Sequence, residues 1–296
     1  MPKGIIINII SNIYNVENTQ NKKIYKCSAR GKFKNEDLKP VVGDNVIIDI
    51  IDEQKQEAVI EEIMERKNYI KRPKIANITQ IIFVVSTKMP KPDLLLLDKQ
   101  LAFSEFLGIK PLICINKIDL ESQEEILKIE KLYKKIGYEV LKTQGDSGKG
   151  IKELIQKLKG NITAFSGNSG VGKSTLINKI FEKNIAEEGI ISNKIKRGKN
   201  TTTIISLYKI DENTYIADTP GFSTFDVYEI EGENLSGNFI EFNNYVEKCE
   251  FKGCSHIKEE ICGVKKAVEE KEIDSDRYNR YCKIYLELKE KEKYKW

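Results

Sequence analysis

Apolar residues in the first 72 positions fall in short β-branched runs, GIIINII, KIYKCSA, DNVIIDI and EAVIEEI, separated by polar or Gly/Pro turns. Such runs predict strands. Several of them in so short a stretch suit a small barrel such as an OB-fold, a scaffold that often binds single-stranded or structured RNA. From about residue 73 the texture changes. QIIFVVS reads as a buried strand, PDLLLLDKQLAFSEFLG as a helix started by Pro92 and Asp93, and PLICIN as the next strand. SQEEILKIEKLYKKIG reads as an amphipathic helix stopped at Gly137. NITAFSG, GKSTLINKIF, TTTIISLYKI and TYIADTPG continue the alternation to about residue 228, which predicts a mainly parallel sheet with helices on both faces. Residues 229–296 carry three closely spaced cysteines followed by charged helical stretches such as DRYNRYCKIYLELKEKEK.

Composition narrows the class without naming a chemistry. The 296 residues are 40% hydrophobic and 32% charged, a soluble balance able to bury a core. A net charge of +4 permits an anionic partner without requiring one. Lys26, Arg30, Lys32 and Lys34 with Phe33 fit a basic, partly aromatic RNA-binding face, and they fit a plain solvated lysine-rich surface equally well. The N-terminus reads as a strand rather than a signal peptide, and no apolar stretch approaches the roughly 18 residues that span a bilayer. Six cysteines in a chain this long do not suggest a disulfide scaffold, so the expected compartment is the cytoplasm.

Gly167-Asn168-Ser169-Gly170-Val171-Gly172-Lys173-Ser174 matches GxxxxGK[ST], with the apolar strand ITAF before it and the helix STLINKIF after it, and Thr175 counts with the loop among the nucleotide-binding residues. Glycines let the backbone turn tightly, so that N–H groups and the helix N-terminus face phosphate oxygens. Lys173 would reach the β- and γ-phosphates, and the Ser174 hydroxyl would ligate Mg²⁺. Asp218-Thr219-Pro220-Gly221 closes a later strand. There an acidic residue can hold the Mg²⁺ shell, and the Gly221 N–H can sense the γ-phosphate. Between them, Gly198-Lys199-Asn200-Thr201-Thr202-Thr203 offers a threonine for Mg²⁺, Thr202 in the first instance. A plain glycine turn and a threonine-rich strand start are the alternatives, and the shared order of the three segments argues against them.

Asn116-Lys117-Ile118-Asp119 follows the strand PLICI, at the carboxyl edge where open α/β sheets bind ligands. The Asp119 carboxylate can accept both N–H bonds of a guanine edge. Asn116 would support the loop, and the Lys117 stem would cover the base. Thr143-Gln144-Gly145 should lie near the base, although its match to a base-reading loop is poor. This base motif precedes the phosphate loop by about fifty residues, whereas in most GTPases it follows. A circular permutation accounts for the swap, because a compact domain with adjacent termini can be reconnected without moving its site. After Gly221 the chain then runs straight into the C-terminal region, so movement of the γ-phosphate sensor would pull on it.

Cys249, Cys254, His256 and Cys262 lie within fourteen residues, and His256 is the sole histidine. Three thiolates and one imidazole make a closed tetrahedral set suited to structural Zn²⁺. Cys27, Cys114 and Cys282 read as small apolar residues.

With these segments in view, the sequence resembles the circularly permuted ribosome small-subunit-dependent GTPases, assembly factors of bacterial ribosomes. The resemblance covers nearly the whole chain and includes PVVGD (Pro40 to Asp44), RPKIANITQ (Arg72 to Gln80), NKIDL, GNSGVGKSTLIN, TTT, DTPGF and the cysteine cluster. It implies an OB-fold barrel over 1–72, a circularly permuted P-loop GTPase domain over 73–228 and a mainly helical zinc domain over 229–296. It also implies GTP/GDP, Mg²⁺ and one Zn²⁺ as ligands, and hydrolysis stimulated by the small ribosomal subunit and its rRNA during late maturation. A monomer is expected.

The chain departs from familiar patterns where water must be oriented. Ras-like enzymes place a glutamine after DxxG, and here Phe222 stands there. The resembled family usually shows GRHTTT, whereas this chain has GKNTTT, with Asn200 at the histidine position. Slow intrinsic turnover follows, with Asn200 orienting water weakly and the ribosome supplying the rest. The competing reading is a nucleotide-gated RNA-binding module in which GTP sets affinity and hydrolysis is incidental. An ATPase is opposed by Asp119.

Overall fold

The computed structural model describes residues 1–34, 39–188, 205–218 and 229–294. Five strands open the chain: β1 (Lys3–Ile10), β2 (Ile13–Asn18), β3 (Ile24–Ala29), β4 (Asn45–Asp52) and β5 (Glu57–Ile63). They pair in the order β1-β2-β3-β5-β4, and β4 returns to β1 with Gly4 opposite Val46, which closes the barrel. That order is the OB-fold. Alternate residues fill it: Tyr14 and Val16, Tyr25 and Cys27, Val46 and Ile48, Ala58 and Ile60 all point inward around Ile6. The period-2 pattern thus decides which face is core. β2 was not among the runs legible in the sequence, since IYNVEN is half polar. Ser11 and Asn12, both at positive φ, turn the chain from β1 into it.

A small hairpin, β6 (Tyr69–Lys71) and β7 (Lys74–Ala76), leads into β8 (Gln80–Ser86), every residue of which is buried. Next come α1 (Leu94–Phe106), β9 (Lys110–Asn116), α2 (Gln123–Ile136), β10 (Val140–Lys142), α3 (Ile151–Leu158), β11 (Ile162–Ser166), α4 (Lys173–Glu188), β12 (Ser206–Asp211) and β13 (Thr214–Asp218). The predicted helix signals act as expected. The Asp93 carboxylate caps α1 by accepting from the Leu96 N–H at 2.9 Å, and Gly137 ends α2 at φ +116; Ser122, not among those signals, caps α2 in addition. The C-terminal region holds short 3₁₀ turns between 232 and 248, then α5 (Gly263–Glu269) and α6 (Ser275–Lys293). No helix among the described residues is long and apolar enough to cross a membrane.

The chain divides into two compact units, one of residues 1–82, 151–166 and 173–222, the other of 83–150, 167–172 and 223–296. In the first, β11 and β13 run parallel and β13 and β12 antiparallel, so the sheet is mixed. β12 then meets barrel strand β1, with Ser206 opposite Asn8. In the second, β9 and β10 run parallel. A buried ionic cluster there ties α6 to α1. Arg277, 1% exposed, bonds Asp98 and Glu241, while Arg280 takes the other Asp98 oxygen and the Tyr133 hydroxyl donates to Asp98 at 2.7 Å. Burial alone would lower the Arg277 pKa, but the two carboxylates outweigh it and hold the guanidinium charged.

Candidate functional site

The turn between β11 and α4 is shaped by glycines that nothing else could replace. At Gly167, φ is +133 and a Cβ would overlap the Val84 carbonyl oxygen, so the loop runs flush against β8. At Gly172, φ is +99 and a Cβ would strike the side-chain amide of Asn116. Lys173 then opens α4, placing the helix N-terminus directly after the turn. Burial lowers the Lys173 pKa below the ordinary lysine value, an effect that an anionic ligand reverses. Asn168, Gly172 and Thr175 are half-buried, Ser169, Gly170 and Ser174 exposed, and Val171 is buried beneath the turn.

The base-motif loop is bonded to this turn within the second unit. Asn116, 1% exposed, donates through Nδ2 to the Val171 carbonyl at 2.9 Å. The Lys117 ammonium donates to the Gly170 carbonyl at 2.7 Å and to the Met89 carbonyl at 2.6 Å. Lys117 itself lies at φ +60, and its carbonyl accepts from the Thr87 hydroxyl at 2.8 Å. Asp119, two residues on, is exposed. The two motifs that the sequence separates by about fifty residues are therefore one hydrogen-bonded structure. A cleft on the α1 side of the turn is lined by Ser86, Lys91 and Asp93 together with Gly167 and Asn168. Within it the Asn168 amide donates to Asp93 at 3.3 Å.

A third loop joins them. The Thr143 hydroxyl and the Gly145 N–H both donate to Asn116 Oδ1, at 2.9 and 3.1 Å, so one asparagine binds three loops. Of these two contacts the one from Gly145 is made by a backbone N–H, which leaves no signature in residue type. The braces from Thr87 and Met89 likewise carry no motif. Asp218, half-buried, ends β13 in the first unit. Asn200, Thr202, Gly221 and Phe222 lie outside the described residues.

In the C-terminal region Cys249, Cys254, His256 and Cys262 bring their ligand atoms within 4.8 Å of one another. His256 Nδ1 is 3.6 Å from Cys249 Sγ and 3.3 Å from Cys262 Sγ, and those two sulfurs are 3.9 Å apart. Zinc–sulfur bonds of about 2.3 Å imply tetrahedral S–S edges of about 3.8 Å and S–N edges of about 3.5 Å, so the set fits Zn²⁺. Burial lowers the His256 pKa and keeps the imidazole neutral, as a ligand must be. The knuckle is fixed from outside. His256 sits at φ +58, and the Tyr278 and Tyr281 hydroxyls on α6 donate to the carbonyls of His256 and Ser255, each at 2.7 Å. Cys262 caps α5, its sulfur accepting from the Lys265 N–H. The remaining cysteines, Cys27, Cys114 and Cys282, belong to no such cluster among the described residues.

Comparison with known proteins agrees with this construction. A model of the RsgA N-terminal domain matches residues 3–60, and a model of the RsgA GTPase matches residues 63–228. The chain belongs to the RsgA GTPase family. A relative from Ruminiclostridium cellulolyticum named small ribosomal subunit biogenesis GTPase RsgA is 42% identical over 295 residues, covering 100% of this chain and 96% of that protein. One of the same name from Clostridium novyi is 43% identical over 294 residues, covering 99% and 100%. Among solved structures, YjeQ from Thermotoga maritima superimposes with a TM-score of 0.84 at 37% identity over 97% of this chain and 98% of its own. YloQ, described as a circularly permuted GTPase, gives 0.82 at 34% identity over 98% and 96%. Membership of the RsgA family accounts for the reversed motif order, and the bonds around Asn116 are its physical counterpart in this chain.

Proposed function

We propose that this chain hydrolyses GTP to GDP and phosphate on the small ribosomal subunit, late in that subunit's maturation, in the bacterial cytoplasm and as a monomer. The observation that carries the reading is the direct bonding of Asn116 and Lys117 to the Val171 and Gly170 carbonyls, which makes one ligand site of two distant motifs. The relatives' shared name supplies the subunit. The proposed layout follows the three segments 1–72, 73–228 and 229–296, for RNA contact, nucleotide chemistry and zinc-held docking.

Asp119 accepts the guanine N–H groups, and the Lys117 stem covers the base while its ammonium holds the phosphate turn in shape. The N–H groups of 168–175 cradle the phosphates and Lys173 neutralises them. Ser174, Thr202 and Asp218 would hold Mg²⁺, which would supply positive charge against the phosphates. Gly221 senses the γ-phosphate. Asn200 orients water weakly, so isolated turnover is slow and the ribosome raises it. The cysteine cluster with His256 holds Zn²⁺ with no open position and therefore has a structural role. On the barrel, Lys26, Arg30 and Lys32 are exposed, and the Lys32 ammonium lies 5.1 Å from the Phe33 ring centroid, a surface suited to rRNA. Arg30 also pairs with Glu61, which reduces the free charge there.

Single-turnover phosphate release with and without small subunits tests the proposal, with Lys173→Ala as the binding-dead control. Co-sedimentation should favour a non-hydrolysable GTP analogue over GDP. The residues at 222 and 200 favour one second reading, a nucleotide-gated RNA-binding module with incidental hydrolysis. Release that small subunits fail to accelerate would select it.

A further inference from the structure

The join between the barrel and the β12–β13 hairpin has a polar centre that none of the roles above uses. Glu17, on β2, is 5% exposed. Its Oε1 accepts from the Lys209 ammonium at 2.6 Å and from the Tyr215 hydroxyl at 3.0 Å. Lys209 lies on β12 and Tyr215 on β13, directly opposite each other in the hairpin register. One barrel carboxylate therefore grips both strands.

Backbone pairing seats the hairpin against β11 through β13, whereas among the described residues it ties the hairpin to the barrel only lightly. Among the described residues, β1 meets β12 at one register pair, Asn8 opposite Ser206, beside an irregularity in β1 between Ile6 and Asn8. The β12–β13 register shifts between Lys209 and Asp211. At the join to the barrel, where the described residues share little backbone register, side-chain contacts fix the placement. An apolar contact would serve stability as well or better, because a buried ion pair gains little net stability; what it adds is a defined geometry. Burial and the Glu17 charge raise the Tyr215 pKa, so its hydroxyl remains a donor.

The hairpin matters because of what its ends carry. Ser206 is paired with Asp218, so Asn8, Ser206 and Asp218 form one row across β1, β12 and β13. On the far side, Tyr208 of β12 packs edge-on against Phe181 of α4, the helix that Lys173 begins, with ring centroids 6.1 Å apart. The hairpin is thus held between the phosphate-loop helix and the barrel.

We propose that Glu17 is a positioning residue for GTP hydrolysis: through Lys209 and Tyr215 it locks the hairpin whose second strand ends in Asp218 to the barrel, so that RNA engaged by the barrel sets the turnover rate. The inference rests on the proposed small-subunit GTPase reading. Glu17 touches neither nucleotide nor metal; it acts through the hairpin.

The experiment compares the native chain with Glu17→Ala, Glu17→Gln and Lys209→Met in steady-state GTP turnover with and without small subunits. It is run alongside affinity for a fluorescent GDP analogue, co-sedimentation and thermal melting. Glu17→Ala should lower the subunit-stimulated kcat at least tenfold while KM, GDP affinity and co-sedimentation stay within about twofold. Glu17→Gln, which still accepts from Tyr215, should recover part of that loss, and Lys209→Met should fall between. Should Glu17→Ala fail to fold, the two conservative variants carry the same test. A stimulated kcat within twofold of native in folded variants overturns the inference, as does a loss confined to KM or subunit binding. Failure of the native chain to respond to small subunits would instead strike the functional reading beneath it.

Discussion

Replacing Asn116 by alanine removes the residue through which three loops are held. The side chain makes one donated bond to the Val171 carbonyl and accepts two, from the Thr143 hydroxyl and the Gly145 N–H, all within 3.1 Å and all buried. At about 1 kcal/mol for each lost bond the total is about 3 kcal/mol. If the loops relax in the free protein and must be re-formed around nucleotide, that sum appears in binding as a loss of about 150-fold in GDP affinity. If the loops stay in place, it appears instead as lost stability, a fall of about 5 °C in Tm for a chain of this size. Fluorescent-GDP titration and thermal melting of the same preparation apportion the two. Asn116→Asp is the sharper control. It keeps acceptors for Thr143 and Gly145 but turns a carboxylate oxygen toward the Val171 carbonyl, so GDP affinity should drop at least tenfold despite equal size. Affinity within threefold of native, together with a Tm change under about 2 °C, would refute the brace.

Gly172→Ala meets both a left-handed backbone and the Asn116 amide; strain of about 1–2 kcal/mol plus one displaced hydrogen bond should weaken GDP binding by about 100-fold in the same titration. Arg277→Met leaves Glu241 without its buried partner and Asp98 with one guanidinium fewer, and should cost about 3–5 kcal/mol, read as a lowered urea midpoint. Metal analysis should find one zinc per chain, absent in Cys254→Ser. Removing it with a chelator should lower Tm while GDP affinity changes less than threefold, since the ligands lie in 249–262 and the nucleotide braces in 87–172.

Much of this protein was legible before folding because its chemistry is local in sequence. A phosphate turn needs glycines at fixed offsets, and Gly167 and Gly172 stand where only a missing Cβ permits the chain to pass. A zinc knuckle needs its ligands within one loop and one helix cap, so Cys249 to Cys262 announces itself. Helix signals at Asp93 and Gly137 are equally local. Period-2 alternation marked most barrel strands and missed β2, because its polar residues Asn15, Glu17 and Asn18 break the apolar run even though folding buries Glu17 and Asn18.

What tertiary structure alone decided are the contacts whose partners lie far apart in the chain or have no side-chain signature. No sequence pattern could show that Asn116 reaches Val171, because a hydrogen bond to a backbone carbonyl is indifferent to the residue that bears it. The same holds for Lys117 on Met89 and for Gly145 on Asn116. Glu17 and Lys209 are ordinary surface residue types in the sequence; folding withdraws one of them from water and sets it against the other from 192 positions away. Short-range periodicity and backbone permissiveness are properties of the chain itself, whereas the pairing of distant polar groups exists only once packing has excluded the water that would otherwise satisfy them.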